Sequence, residues 1–138
     1  MKEKSFGIIP IKKQKDRWVV FLVKNKSGNH WGFPKGHAES YEGPLQAAQR
    51  EMKEETNLEI KKLLRSDPFI EIYELERNNK KVLKNIFYYL AEVSGEEKID
   101  NSEILEGIWV NILKVQDLIT YPELKNLFKE VETFLLKI

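Results

Sequence analysis

The run Asn85-Ile-Phe-Tyr-Tyr-Leu-Ala-Glu-Val93 constrains this chain more than any other, because it is nearly continuous in apolar character. A strand of that composition has no face suited to water, so it belongs at the centre of a sheet with a covering layer on each side. Two segments can supply those layers. From Pro122 onward, Leu124, Leu127, Phe128, Val131, Phe134, Leu135 and Ile138 recur at helical spacing and form a broad apolar stripe. Between Pro44 and Thr56, Leu45, Ala48 and Met52 fall on one side of a second helix, at about 100° per residue.

The remaining apolar runs are short and read as strands. Phe6 to Ile11 and Trp18 to Val23 are rich in β-branched residues and flank the polar stretch Lys12 to Arg17, expected as a turn. Ser27-Gly28-Asn29 signals a loop. Trp31 and Phe33 then alternate with Gly32 and Pro34, as in a short strand with both aromatics to one side, while His30 stands just ahead with no partner evident in sequence. Leu58 to Leu64 and Phe69 to Leu75 are expected as strands around a Ser66-Asp67-Pro68 turn, with Tyr73 facing away from the core. Glu76 to Lys84 is polar enough for a hairpin tip or loop, Asp100 to Glu106 reads as an acidic loop, and Gly107 to Asn111 as a last strand. Strands before, between and after two helices predict an α/β fold, an α/β/α sandwich around a mixed β-sheet.

With 138 residues and no internal repeat or Pro/Ser-rich linker, the chain is expected to form one domain over 1–138, burying about two thirds of its unfolded surface. Its 23 basic and 22 acidic residues nearly cancel, which gives no basis for general nucleic-acid or membrane binding and favours a compact ligand. There is no cysteine, hence no disulfide and no thiolate metal site. The first residues lack the apolar run of a signal peptide, and no apolar stretch is long enough to span a bilayer. A cytoplasmic protein, monomeric or weakly dimeric, is expected.

The chemistry concentrates between His30 and Leu58, a glycine-hinged loop feeding an acidic helix. Pro44 suits the first helical position, with Gly43 or Glu42 as cap. Glu51, Glu54 and Glu55 share an arc roughly 100° wide beside the apolar side. Like charges at these spacings weaken an isolated helix by a few tenths of a kcal/mol per pair. A bound divalent cation would neutralise them; taken alone, three glutamates are also compatible with a solvated acidic face. Magnesium suits such a strip because it takes hard oxygen ligands and is commonly shared between carboxylates and substrate phosphates. Lys35 and His37, on the preceding loop, are placed to meet anionic oxygens.

Gly36, five residues, Glu42, seven residues, then Arg50-Glu51, Met52, Lys53, Glu54-Glu55, Thr56, Asn57 and Leu58 resemble the signature box of the Nudix hydrolases. The resemblance implies water attack on phosphorus, assisted by Mg2+ or Mn2+, in a nucleoside diphosphate linked to another group. It implies metal ligation by Glu51, Glu54, Glu55 and the Gly36 carbonyl, a bracing pair of Arg50 and Glu42, and a further carboxylate, Glu103, opposite the box. Asn57 stands where that family usually has glycine, a helix C′ position requiring φ > 0, for which asparagine is the usual second choice.

The lead-in Trp31-Gly-Phe-Pro-Lys-Gly-His37 is similar to that of the asymmetrical diadenosine tetraphosphate hydrolases, and Lys84, the Phe87 to Val93 run, Glu103, Trp109 and Tyr121 follow in a similar order. This implies a dinucleoside polyphosphate substrate, its phosphates held by Lys35, His37 and Lys81 or Lys84, and an adenine stacked by Tyr73 and Tyr121. Two other readings stay open. One is a Nudix pyrophosphohydrolase acting on RNA 5′ ends or mononucleotides. The other is a non-catalytic nucleotide sensor, which would be free to lose the box carboxylates that this chain keeps.

Overall fold

The computed structural model describes Met1–Ile138. Eight strands form one mixed sheet: β1 (Lys2–Gln14), β2 (Arg17–Asn25), β3 (Trp31–Gly32), β4 (Lys35–Gly36), β5 (Glu59–Leu63), β6 (Phe69–Arg77), β7 (Lys80–Ser94) and β8 (Ile104–Asn111). Helix α1 (Pro44–Thr56) covers one face and helix α3 (Pro122–Leu136) the other, with a 3₁₀ turn at Ile112–Lys114 and the one-turn helix α2 (Val115–Leu118) ahead of α3.

The apolar Asn85–Val93 run is central, as its composition requires. Its strand, β7, pairs in parallel with β1 along one edge, and antiparallel with β6 and then β5 along the other. Even-numbered residues of β7 (Ile86, Tyr88, Leu90) join a core beneath α3 with Ile9, Phe33, Phe69, Leu124, Phe128 and Val131. Odd-numbered residues (Tyr89, Ala91, Val93) join a second core beneath α1 with Ile8, Phe21, Ala48, Met52 and Leu58. The strand-period alternation thus divides one apolar run between two layers. Trp31 and Phe33 both pack toward the α3 side.

Several elements exceed their sequence-predicted bounds for one physical reason. The expected turn at Lys12 to Arg17 shrinks to Lys15-Asp16, with φ of 51° and 63°. The expected tip at Glu76 to Lys84 shrinks to Asn78-Asn79, with φ of 52° and 61°. Two-residue left-handed turns match strand twist, so the flanking polar residues stay in the ladder, as in Lys13↔Trp18 and Glu76↔Lys81. β8 begins at Ile104, inside the expected acidic loop, because that side chain packs into the α1-side core. Ile138, expected on the apolar stripe of α3, lies beyond the helix end and is exposed. Tyr73 also corrects the sequence reading: it packs against the α3-side core, while Ile70 and Ile72 face out. Strand β6 reaches past the edge of α1, so its α1-side residues go uncovered.

Candidate active site

Helix α1 starts at Pro44 with Gly43 as its extended N-cap, and the Gln46 side chain accepts the Gly43 N–H at 3.2 Å. It stops at Asn57, whose φ of 67° is left-handed, as expected for C′. The Asn57 N–H closes on the Lys53 carbonyl at 2.9 Å, and its Nδ2 donates to the Glu96 carbonyl at 3.0 Å. The Lys98 and Asp100 N–H groups then donate to the Thr56 and Glu55 carbonyls. Orphan carbonyls at the helix end therefore dock the 96–103 loop and carry Glu103 to the side of Glu55.

Carboxylate oxygens of Glu51, Glu55 and Glu103 lie within 4.8 Å of one another. Glu55 is 4% exposed, and its Oε2 is buried without a partner. Burial first, then the Glu51 and Glu103 charges, push its pKa up to about 9; burial also raises that of Glu51. Unbalanced negative charge at this density is the electrostatic condition a hard divalent cation satisfies. Gly36 adds a backbone wall: a Cβ there would stand 2.1 Å from Glu51 Cδ, so only glycine admits this carboxylate. The residues present fit a magnesium-type ion.

Arg50 orders the rest. Its Nε and Nη2 donate to Glu42 at 2.7 and 3.1 Å, Nη1 to Glu51 at 3.0 Å and to both Glu54 oxygens, and Nη2 to the His37 carbonyl. The Arg50 guanidinium holds the Glu42 carboxyl below its usual range, and Glu42 in turn raises Arg50. Glu54 is thus engaged by Arg50 and lies outside the convergent trio, which Glu103 completes.

A second feature occupies the α3 face. A cavity of about 410 Å³ is floored by Phe33, Ile86, Tyr88 and Leu124 and walled by His30, Tyr73 and Tyr121. The His30 and Tyr121 rings approach to 4.8 Å. Lys35 and Glu71 also face this cavity. Lys84 sits beside it on the same sheet face, opposite Tyr73 in the ladder, and contacts Glu3 at 3.8 Å. Burial and the neighbouring Lys35 lower the pKa of Lys84. The structure gathers Lys35, Tyr73, Lys84 and Tyr121 here. It does not bring Lys81, which alternation turns to the opposite sheet face at the exposed hairpin tip. The His37 side chain is exposed just beyond β4.

The sequence of the chain matches the NUDIX domain family over residues 1–131. The chain belongs to the Nudix family. This Nudix hydrolase is 31% identical over 121 residues to a bis(5′-nucleosyl)-tetraphosphatase [asymmetrical] of Rattus norvegicus, covering 85% of this chain and 81% of that protein. It is 24% identical to an RNA pyrophosphohydrolase of Pelagibacter ubique, covering 91% of this chain and 90% of that protein. Its fold superposes on a C. elegans Ap4A hydrolase crystallised as a binary complex with a TM-score of 0.78, at 23% identity and 98% coverage of both chains. No helix is long and apolar enough to cross a membrane.

Sequence reasoning missed Glu71 and left His30 without a role. Glu71 had a readable signal: in Phe69-Ile-Glu71-Ile-Tyr73-Glu-Leu75 it is the sole charge among the residues of one strand face. His30 had none, because its partner Tyr121 lies far away in the chain.

Proposed function

We propose that this Nudix hydrolase cleaves dinucleoside polyphosphates, converting diadenosine tetraphosphate to ATP and AMP with Mg2+ or Mn2+ as cofactor. The observation that carries the reading is the position of Lys35. It faces the aromatic cavity on the α3 side, while the next residue, Gly36, lies against Glu51 on the α1 side. Its charge acts on both Glu71 in the cavity and Glu55 in the carboxylate trio. A nucleotide with its base between Tyr73 and Tyr121 would therefore run its phosphates past Lys35 toward the glutamates.

Glu51, Glu55, Glu103 and the Gly36 carbonyl would hold the cation, with Arg50 and Glu42 fixing Glu51, and Glu54 completing the acidic strip. When bound, such an ion neutralises phosphate charge and lowers the pKa of a coordinated water. Lys35 and Lys84 would supply the remaining positive charge, with His37 exposed just beyond β4. Glu103 or a box glutamate would take the proton of the attacking water on a carboxylate oxygen as the water–phosphorus bond forms and the bridging oxygen leaves with ATP. Tyrosine stacking fixes one nucleoside, so cleavage falls at a set distance from it. The near-neutral net charge supports a small substrate over a long polyanion.

The RNA pyrophosphohydrolase relative favours a second reading, removal of pyrophosphate from RNA 5′ ends. One experiment separates them: incubation with diadenosine tetraphosphate, a triphosphorylated RNA and nucleoside triphosphates, with products resolved chromatographically. ATP plus AMP is the expected outcome. Two ADP molecules as the main product, or faster release of pyrophosphate from RNA, would overturn it. A binding-only module would cleave none of them.

A further inference from the structure

Glu71 is set into the aromatic cavity at 4% exposure, on the strand face shared by Phe69, Tyr73 and Leu75. Apolar side chains of Phe33, Ile86 and Leu124 form the surface around it, and no neighbouring group hydrogen-bonds it. Charged and titratable groups surround it: His30 ahead of β3, Lys35 on β4, Lys84 and Tyr88 on β7, Tyr73 and Glu74 on β6, and Tyr121 with Glu123 at the start of α3. Neither lysine pairs with it; Lys84 contacts Glu3 instead. The side chain is largely buried, yet its carboxyl lines the cavity with no hydrogen-bond partner from the protein, so its acceptors are free for whatever occupies a space the size of a nucleoside.

We propose that Glu71 is a specificity-determining residue whose carboxyl hydrogen-bonds the polar edge of the purine in this cavity and so discriminates guanine from adenine. The inference rests on the reading that the cavity holds a nucleotide base. Stacking on Tyr73 and Tyr121 tolerates any base, so discrimination requires a polar group at the ring edge. An ionised carboxylate offers two acceptors, which match the adjacent ring and amino N–H donors of guanine. A protonated carboxyl offers one donor and one acceptor, which match the ring nitrogen and amino group of adenine and equally the O6 and ring N–H of guanine, so that form discriminates little. Burial outweighs the two lysines and raises Glu71 to about 7, so both forms are populated near neutral pH. Guanine is favoured above that point, and the preference fades below it.

The test measures kcat/KM for diguanosine and diadenosine tetraphosphates from about pH 6 to about pH 8.5, with Kd for GTP and ATP in parallel. Both substrates use the same phosphate and carboxylate groups, so titrations there cancel in the guanine-to-adenine ratio. In the native protein this ratio rises about tenfold across the range, within the discrimination that a bidentate base contact provides. Glu71→Gln, whose amide carries a donor and an acceptor at every pH, loses the guanine preference of the ionised carboxylate and flattens the profile. Glu71→Leu abolishes the preference and serves where the amide variant is unstable. A ratio that is independent of pH and unchanged by both substitutions would overturn the proposal. If neither dinucleotide is cleaved while the GTP-to-ATP affinity ratio behaves as described, the substrate reading fails and base recognition by Glu71 stands.

Discussion

Replacing Gly36 with alanine tests the carboxylate trio by the smallest possible change. The added Cβ would lie 2.1 Å from Glu51 Cδ and 2.3 and 2.5 Å from its oxygens. Reaching an ordinary contact of 3.4 Å requires a retreat of 3.4 − 2.1, or about 1.3 Å. Glu51 cannot swing freely, because Arg50 Nη1 holds its Oε1 at 3.0 Å. Nor is left-handed backbone at issue, since Gly36 is not among the positive-φ positions and alanine is tolerated there conformationally. The effect should therefore fall on metal binding and turnover rather than on folding. A displacement of about 1 Å in a catalytic array costs on the order of 100-fold in rate, and loosened metal ligation costs about 10–100-fold in affinity. We expect kcat/KM to fall about 100-fold, Mn2+ affinity by calorimetry to weaken at least tenfold, and the metal-free melting temperature to change little. Native metal affinity and turnover in Gly36→Ala would refute the placement of Glu51 against this backbone.

Glu55 titrates at about 9 when folded against an ordinary 4.5, so the folded metal-free protein binds the extra proton and its stability falls as pH rises between those values. Glu55→Gln should remove that slope, raise the metal-free melting temperature near pH 8 by several degrees, roughly 3–5 °C per kcal/mol, and abolish most turnover; a flat native profile would contradict the burial argument. Glu54→Gln should cost markedly less activity than Glu55→Gln, because its carboxylate is committed to Arg50 and stands outside the trio, and steady-state kinetics on the pair decides this. Tyr73→Ala and Tyr121→Ala should each raise KM by about 5–150-fold, the equivalent of about 1–3 kcal/mol of stacking, with kcat less affected. Asn57→Gly should leave urea stability within about 0.5 kcal/mol, since relief of the φ of 67° is offset by loss of the bond to the Glu96 carbonyl.

What could be read from the sequence was local, and what escaped it was set by register. Helix α1 was legible to the residue because Pro44 and Asn57 each impose a backbone angle. The central strand was legible because its composition excludes water from both faces. The ends of β1, β2, β6 and β7 were not, because Lys12, Lys13, Glu76 and Lys80 are polar in either a loop or an exposed ladder. What decides between these is the left-handed turn pairs at Lys15-Asp16 and Asn78-Asn79. The facing of Tyr73 failed for a related reason: Ile72 and Tyr73 are both apolar enough for a core, and only the edge of α1 determines which is covered. Among the candidate residues, spacing placed Glu51, Glu54 and Glu55 on one arc, but an arc does not say which of them Arg50 will reach. Glu103 came to the cluster through the 96–103 loop docking on the helix end, a contact that helical periodicity cannot encode.

The two faces of the sheet carry opposite electrostatic problems, and strand β4 joins them. On the α1 side the trio concentrates anionic charge in a buried setting, which raises Glu51 and Glu55 and leaves a Glu55 oxygen without a partner. On the α3 side Lys35 faces an aromatic cavity and the buried Lys84 sits beside it, with the pKa values of Lys84 and His30 both depressed by burial and by Lys35. Neither arrangement is settled by its own neighbours. A polyphosphate resolves both together, because it supplies anionic oxygens to the lysines and shares a cation with the glutamates. A ligand lacking phosphate could satisfy only the cavity, and a lone cation only the trio. The adjacency of Lys35 and Gly36 on one two-residue strand is what makes a single nucleotide able to answer both.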